Sequence, residues 1–417
     1  MIMNISELAI NGGKPVRTAP FPRRCHVGNE EKAAVDRLFD KVIAGEAVIN
    51  YNGLPEKQYE DAFVEYMGGG FADGVNSGSN AVFCAIGALN LEPFSEIIVP
   101  PITDPGGCMP VLFNACVPVC ADSDTNSFNT NAAAIEKCIT ERTKAIIVAH
   151  IFGEPVDMDP IMEVAKKHGL YVIEDCSQAH GARYKGRLVG SIGDIAAFST
   201  MSGKHHCTGG QGGVVYTRNE ALHWEGRRFA DRGKPFGLKD ATYNVRAGLN
   251  CNLNDLSAVI GVEQLKKLPS IVERRNVVGE AVRKAMADNP CVKVGWLVDG
   301  GYCSYWYLRM TVEPEHLTCS KMDFCNALSK EGIPLIADYG HIQCEKDWFV
   351  NQKTFGNFGF PWQCAEYKGD RHPVFDFTNA HKVVVDNFLV VINESYTAQD
   401  TADIIAALNK VSEAFAK

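Results

Sequence analysis

Six short apolar runs, each closed by turn residues, limit what this chain can become. They cover residues 97–99, 117–120, 145–149, 171–173, 195–198 and 213–216, and helical patterns at 79–90, 131–139 and 160–168 separate several of them. A strand that is apolar at every position buries both of its faces, and the helices between such strands supply the cover. The pattern predicts an α/β fold built on a large, mostly parallel sheet. Two further helical stretches, 29–45 and 57–66, precede the first run. At 417 residues the chain is long enough for a second, smaller core. A long helical pattern from 253 to about 287 carries Leu256, Val259, Ile260, Val262 and Leu265 at helical spacing and reads as a bridge. Beyond 290 short strands and helices alternate, and the chain closes on a helix over 398–416. The expected division is 1–275 for the large domain and 276–417 for a smaller carboxy-terminal α+β domain.

Charge and cysteine usage narrow the function classes. A net charge of −9 without a basic block argues against nucleic acid as a partner. No apolar stretch is long enough for a membrane span. The segment Met1 to Pro15 carries Glu7 and no basic region leading into an apolar run, so it does not read as a secretory signal. The fifteen cysteines are scattered without paired zinc spacing. The expectation is a cytoplasmic protein with reduced thiols, most of them small core residues. His205-His206-Cys207 is metal-like at first sight, but neighbours on an extended segment point to opposite sides, so no metal site is expected there.

Three segments carry chemistry. Asn76-Ser77-Gly78-Ser79-Asn80-Ala81 opens a helix, where free amides can hold an anion; it is also an ordinary helix cap. Val172-Ile173-Glu174-Asp175 ends a buried strand in two carboxylates, and ligands of parallel sheets gather at such ends; an exposed acidic loop is the plainer alternative. Phe198-Ser199-Thr200-Met201-Ser202-Gly203-Lys204 is followed by Gly209, Gly210, Gly212 and Gly213. A lysine held among glycines can form an imine with an aldehyde, or be merely solvated on a turn. Together, an anion-holding helix start, a strand-end carboxylate and a downstream lysine meet the needs of pyridoxal 5'-phosphate (PLP). No G-x-G-x-x-G or Walker pattern follows a strand, which sets a nucleotide-binding module aside.

Over most of its length the chain resembles the DegT/DnrJ/EryC1/StrS family of PLP-dependent sugar aminotransferases. The resemblance starts at Ile10-Asn11-Gly12-Gly13-Lys14-Pro15-Val16-Arg17, an opening seen in the inosose-aminotransferase and aminohydroxybenzoate-synthase branches. It continues through 76–81, 97–101, His150-Ile151-Phe152-Gly153, 174–182, Gly193-Asp194, 198–213 and 248–265. The resemblance implies the fold type I, aspartate-aminotransferase-like architecture. It implies that Lys204 is the Schiff-base lysine, that Asp175 pairs with the pyridine nitrogen and that Gln178 lies near the ring's phenolic oxygen. Gly78, Ser79 and Ser199 would hold the phosphate. Asn250 would reach the phosphate of a neighbouring subunit, which implies a homodimer. Three positions depart from the family pattern. Asp104 stands where an aromatic residue usually stacks on the cofactor, Asn252 replaces an arginine, and the lysine loop is one residue longer.

The expected reaction is ping-pong transfer of an amino group from glutamate or glutamine to a keto-sugar or keto-cyclitol. A sugar 3-dehydratase, with His205 at the lysine's position after a one-residue shift, is the competing enzyme. A PLP-binding homologue without turnover is the other alternative, and the intact Asp175, Gln178 and Lys204 set argues against it. The aromatic stretch 341–362, with Trp348 and Trp362, is expected to help select the acceptor or else to form a small apolar core of its own; His205 is expected to line the site or pack beneath it.

Overall fold

A computed structural model describes residues 5–417, so the first four residues of the Met1–Pro15 stretch lie outside it. The six predicted runs become β2 (Glu96–Val99), β3 (Val117–Cys120), β4 (Thr143–Ala149), β5 (Tyr171–Asp175), β8 (Ile195–Ser199) and β9 (Gly213–Thr217); the chain adds β1 (Phe71–Val75) and a small hairpin of β6 (Arg183–Tyr184) and β7 (Arg187–Leu188). Seven of them form one sheet in the order β1-β9-β8-β5-β4-β2-β3. The pairs β2–β3, β2–β4, β4–β5 and β5–β8 are parallel, while β9 runs against both β8 and β1. Successive residues of a strand face opposite sides. Ile97 and Val99 accordingly enter one apolar cluster and Ile98 another, as Ala145 and Ile147 do against Ile146 and Val148. Both faces are dry, which is why these strands read as unbroken apolar runs.

Strand β1 breaks that rule and has no counterpart among the six predicted runs. Its sequence is Phe-Ala-Asp-Gly-Val, and the buried Asp73 at its centre is neutralised by Arg227 at 2.7 Å, a residue 154 positions away. No local apolar pattern can encode a strand whose polar residue is satisfied from so far along the chain.

The helix Asp255–Ala285 follows the sheet, capped by Asn254, whose side chain accepts from the Ser257 amide. It leads to a second sheet of β10 (Val292–Val294), β12 (Leu308–Val312), β13 (Leu335–Ile336) and β14 (Asn387–Val390), all antiparallel, in the order β10-β12-β14-β13. Between them β11 (Gly301–Tyr302) pairs with β6, back on the large domain. The last helix, Ala398–Phe415, packs into this smaller core. The predicted large-sheet domain and smaller α+β domain are both present. Position 275 falls inside the continuous bridging helix, and Leu8, Val16 and Phe21 pack with the carboxy-terminal core rather than with the large sheet. Buried ion pairs join the halves, among them that of Arg309 of β12, which donates from Nε at 2.9 Å to Glu154, which follows β4.

Thirteen cysteines are free, most of them buried. The expectation of fully reduced thiols is corrected at one pair, Cys120 and Cys344, which form a disulfide across a separation of 224 residues. The end of β3 and the segment entering the aromatic stretch are packed together there, so the two buried thiols meet although nothing in their spacing announces it.

Candidate active site

The cleft lies at the carboxyl ends of β2, β4, β5 and β8, where a parallel sheet leaves room between its strand-to-helix loops. Its volume is about 180 Å³, and Gly78, Ser79, Asp104, Asp175, Gln178, Ser199 and Lys204 all border it. Folding thus brings together seven of the sequence-predicted site residues from four separate segments.

One wall is the start of the helix Gly78–Ala88. Ser77 caps it, its hydroxyl accepting from the Asn80 amide at 3.1 Å. The first amides therefore point into the cleft with the positive end of the helix behind them. Ser199, the last residue of β8, lies directly against Gly78. Asp104, at the family's aromatic position, spends Oδ1 on the Gly106 amide at 2.9 Å. The backbone it turns runs close to the site, because a Cβ at Gly107 would stand 2.9 Å from Asp175 Oδ2.

The two strand-end carboxylates separate in role. Burial would raise the Glu174 carboxyl, but His150 and the amides of Gly193 and Gly190 hold it below the usual carboxylate range. His150 accepts from the Val156 amide at Nδ1, so its proton sits on Nε2, facing Glu174. Glu174 is thereby consumed by structure. Asp175 is not: burial pushes its carboxyl up, only partly offset by bonds from Ser177. A buried carboxylate in this condition favours a cationic partner.

Lys204 is 7% exposed. Burial lowers its amine to about 8, against the opposing pull of Asp175 and Asp104. Its Nζ lies 4.0 Å from the ring centroid of Trp306. Gln178 accepts from the Phe152 amide at 2.9 Å and donates to the Tyr339 hydroxyl at 3.3 Å. Trp306 and Tyr339 were not among the residues singled out from the sequence; each reaches the site from the far side of the bridging helix, and no local motif marks either.

Other predicted residues lie elsewhere. His205 is fully buried and donates from Nε2 to the Ser304 carbonyl at 3.0 Å, so it packs beneath the cleft and does not border it. His206 bonds Tyr59 and Cys207 contacts His26 and Gln264, so the three residues of that run face separate partners. Trp362, expected as a substrate contact, does not border the cleft. It is fully buried against Phe349, which also packs on Phe375 and Trp348. Trp348 is half-buried in the same cluster, its indole nitrogen 3.4 Å from Gln343 Oε1, and borders no part of the cleft. Phe349, Trp362 and Trp348 pack into the apolar cluster of the large sheet, while Phe355 and Phe358 of the same stretch stay exposed. Asn250 is exposed and outside its own chain's cleft, accepting from Asn252.

Comparison with known proteins agrees with this geometry. The model of the DegT/DnrJ/EryC1/StrS aminotransferase family matches residues 29–358. A GDP-perosamine synthase of Caulobacter vibrioides is 37% identical over 223 residues, 53% of this chain and 59% of that protein. An L-glutamine:2-deoxy-scyllo-inosose aminotransferase of Streptoalloteichus tenebrarius is 33% identical over 284 residues, 65% of this chain and 66% of that one. The solved structure of an aminotransferase from Psychrobacter cryohalolentis superposes with a TM-score of 0.81 at 28% identity, covering 94% of this chain and 98% of its own. The family is PLP-dependent, and the residues present fit that group: amides at a helix start beside a serine hydroxyl, a buried carboxyl raised by its burial, and an amine depressed by burial. The anion site, the carboxylate and the lysine stand around one cleft, and the matched region spans all three: the chain belongs to the DegT/DnrJ/EryC1/StrS aminotransferase family.

Proposed function

We propose that this protein transfers an amino group from glutamate or glutamine to a keto-sugar or keto-cyclitol, using PLP carried on Lys204. The observation that carries the reading is the Lys204 amine, buried in the cleft, lowered to about 8 and sharing it with Asp175. Bound there, PLP supplies an electron sink for the carbon that loses or gains the amino group. Asp175 would keep the ring nitrogen protonated, and the amides of Gly78 and Ser79 with the Ser199 hydroxyl would hold the phosphate. Gln178, fixed through Phe152 and Tyr339, would face the phenolic oxygen. With its pKa close to neutrality, Lys204 is suited to take and return the substrate proton. The names of the relatives support glutamine as donor and sugars or cyclitols as acceptors. The burial of His205 supports Lys204, rather than a shifted histidine, as the working side chain, and so the transferase over the dehydratase.

The same reading includes a second copy of the chain. Beside Ser79 and Asp104 runs an apolar groove lined by Phe83, Met109, Phe113, Phe229 and Leu249. Phe113 and Leu249 are 57% and 59% exposed, so the groove needs a cover. A partner seated on it would bring its Asn250 toward this cleft.

The test is the visible spectrum of purified protein as glutamate, glutamine and alanine are added in turn, followed by a candidate ketone. A donor should bleach the band of lysine-bound cofactor and release its keto acid, and the ketone should restore the band. Lys204→Ala should lack the band and both half-reactions; a variant that kept them would exclude Lys204.

A further inference from the structure

Three successive carbonyls of the turn that carries Lys204 are bonded by side chains from outside the large sheet. The Gly203 carbonyl accepts from Trp306 Nε1 at 3.2 Å. The Lys204 carbonyl accepts from Arg24 Nη1, and the His205 carbonyl from Arg24 Nη2 at 2.8 Å. Arg24 is held in turn by Glu394, its Nε donating to Oε1 at 2.6 Å. The other oxygen of Glu394 accepts from Arg275 Nε at 2.9 Å, and Arg275 donates onward to the carbonyls of Tyr305 and Trp306 at 3.0 and 3.2 Å. The circuit closes where the Trp306 ring faces Lys204 Nζ.

These side chains are costly to place. Arg24, Arg275 and Glu394 are 14%, 3% and 8% exposed. Desolvating three charges buys no stability that apolar packing could not match. What a guanidinium adds is direction: its rigid fork fixes two adjacent carbonyls at once. On the sheet side the turn has its own ties, from the Ser202 amide to the Gly210 carbonyl and from the Lys204 amide to the Met201 carbonyl. Those ties leave the carbonyls of 203, 204 and 205 to the outer clamp.

We propose that Arg24 is a positioning residue for Lys204: braced by Glu394 and Arg275, it holds the lysine turn so that the amine stays in the cleft against Trp306. The inference rests on the reading of Lys204 as the cofactor-bearing amine. Glu394 follows β14 of the small sheet, so the clamp also makes the placement of that amine depend on the smaller domain.

The test uses cofactor-free protein and competitive acetylation with acetic anhydride across a pH series, with the exposed Lys353 as internal reference. In the parent protein Lys204 should titrate near 8, where burial holds it. In Arg24→Met the released turn should let the amine reach water, and its midpoint should climb toward the ordinary value. Each unit of that climb lowers its labelling at pH 8 by up to about tenfold. Arg24→Lys, which keeps the charge without the fork, should fall between, while Lys353 stays unchanged. A mere packing role would lower the melting temperature and leave the Lys204 profile in place; that result in folded Arg24→Met overturns the proposal. If Arg24→Met does not fold, Glu394→Gln is read by the same criterion: a raised midpoint supports the clamp and an unmoved one refutes it. Because labelling needs no cofactor, a failed spectral test of Lys204 leaves this result independent.

Discussion

Gly78→Ala tests the phosphate site with the smallest possible change. The added Cβ would stand 2.5 Å from Ser199 Cβ and 2.9 Å from its Oγ. Ordinary contact begins near 3.4 Å, so the helix start or the end of β8 must yield by about 1 Å. Overpacking of this kind costs about 1–3 kcal/mol of stability. Binding suffers separately. A hydrogen bond from an amide to a charged oxygen contributes about 1.5–3 kcal/mol, and a shift of about 1 Å removes most of one. At about 1.4 kcal/mol per tenfold, the affinity for PLP should fall roughly ten- to a hundredfold. The assay is a fluorescence titration of cofactor-free protein with PLP, beside a thermal melt. Gly295→Ala is the control: it overpacks the smaller domain against Arg309, away from the cleft and its flanking groove. It should lower the melting temperature while leaving PLP affinity intact. If Gly78→Ala lost stability but bound PLP as tightly as the parent, the phosphate would not sit at this helix start.

Three further outcomes follow from the same geometry. Lys204→Met should stabilise the cofactor-free protein at pH 7, since it removes a charge whose burial lowers its pKa from 10.5 to about 8. The advantage should be largest, of order 3 kcal/mol, below pH 8, where folded and unfolded chains both carry the proton, and should vanish above 10.5, where neither does; denaturant melts across that range would show no such trend if the amine were solvated. Arg309→Met should cost about 3–5 kcal/mol in denaturant unfolding, because Glu154 would remain buried without its cation, and adding Glu154→Leu should recover part of the loss. Mixing inactive Lys204→Ala with inactive Asn250→Asp should restore some activity through hybrid dimers; proven subunit exchange without rescue would rule out a shared site.

The large sheet and the core of the site were readable along the chain, and particular residues show why. Strands β2, β4, β5 and β8 announce themselves because burial on both faces demands a run of consecutive apolar residues through the middle of each, a property each strand carries within itself. Gly78, Asp175, Ser199 and Lys204 are readable for a related reason: each stands where a local element begins or ends, and parallel strands deliver their ends to one edge. What the linear order cannot hold is the identity of contacts between distant elements. The tryptophan that meets Lys204 is Trp306, not the more conspicuous Trp348 or Trp362, because the rings of the aromatic stretch close on one another while the backbone at 304–306 is drawn to the lysine turn. Arg24 reaches that turn across 180 residues, Asp73 finds Arg227, and Cys120 finds Cys344. Periodicity records whether a side chain is buried; which neighbour satisfies it is settled only when the two sheets and the bridging helix pack, since a charge or polar group taken out of water accepts whatever partner that packing brings within hydrogen-bond range.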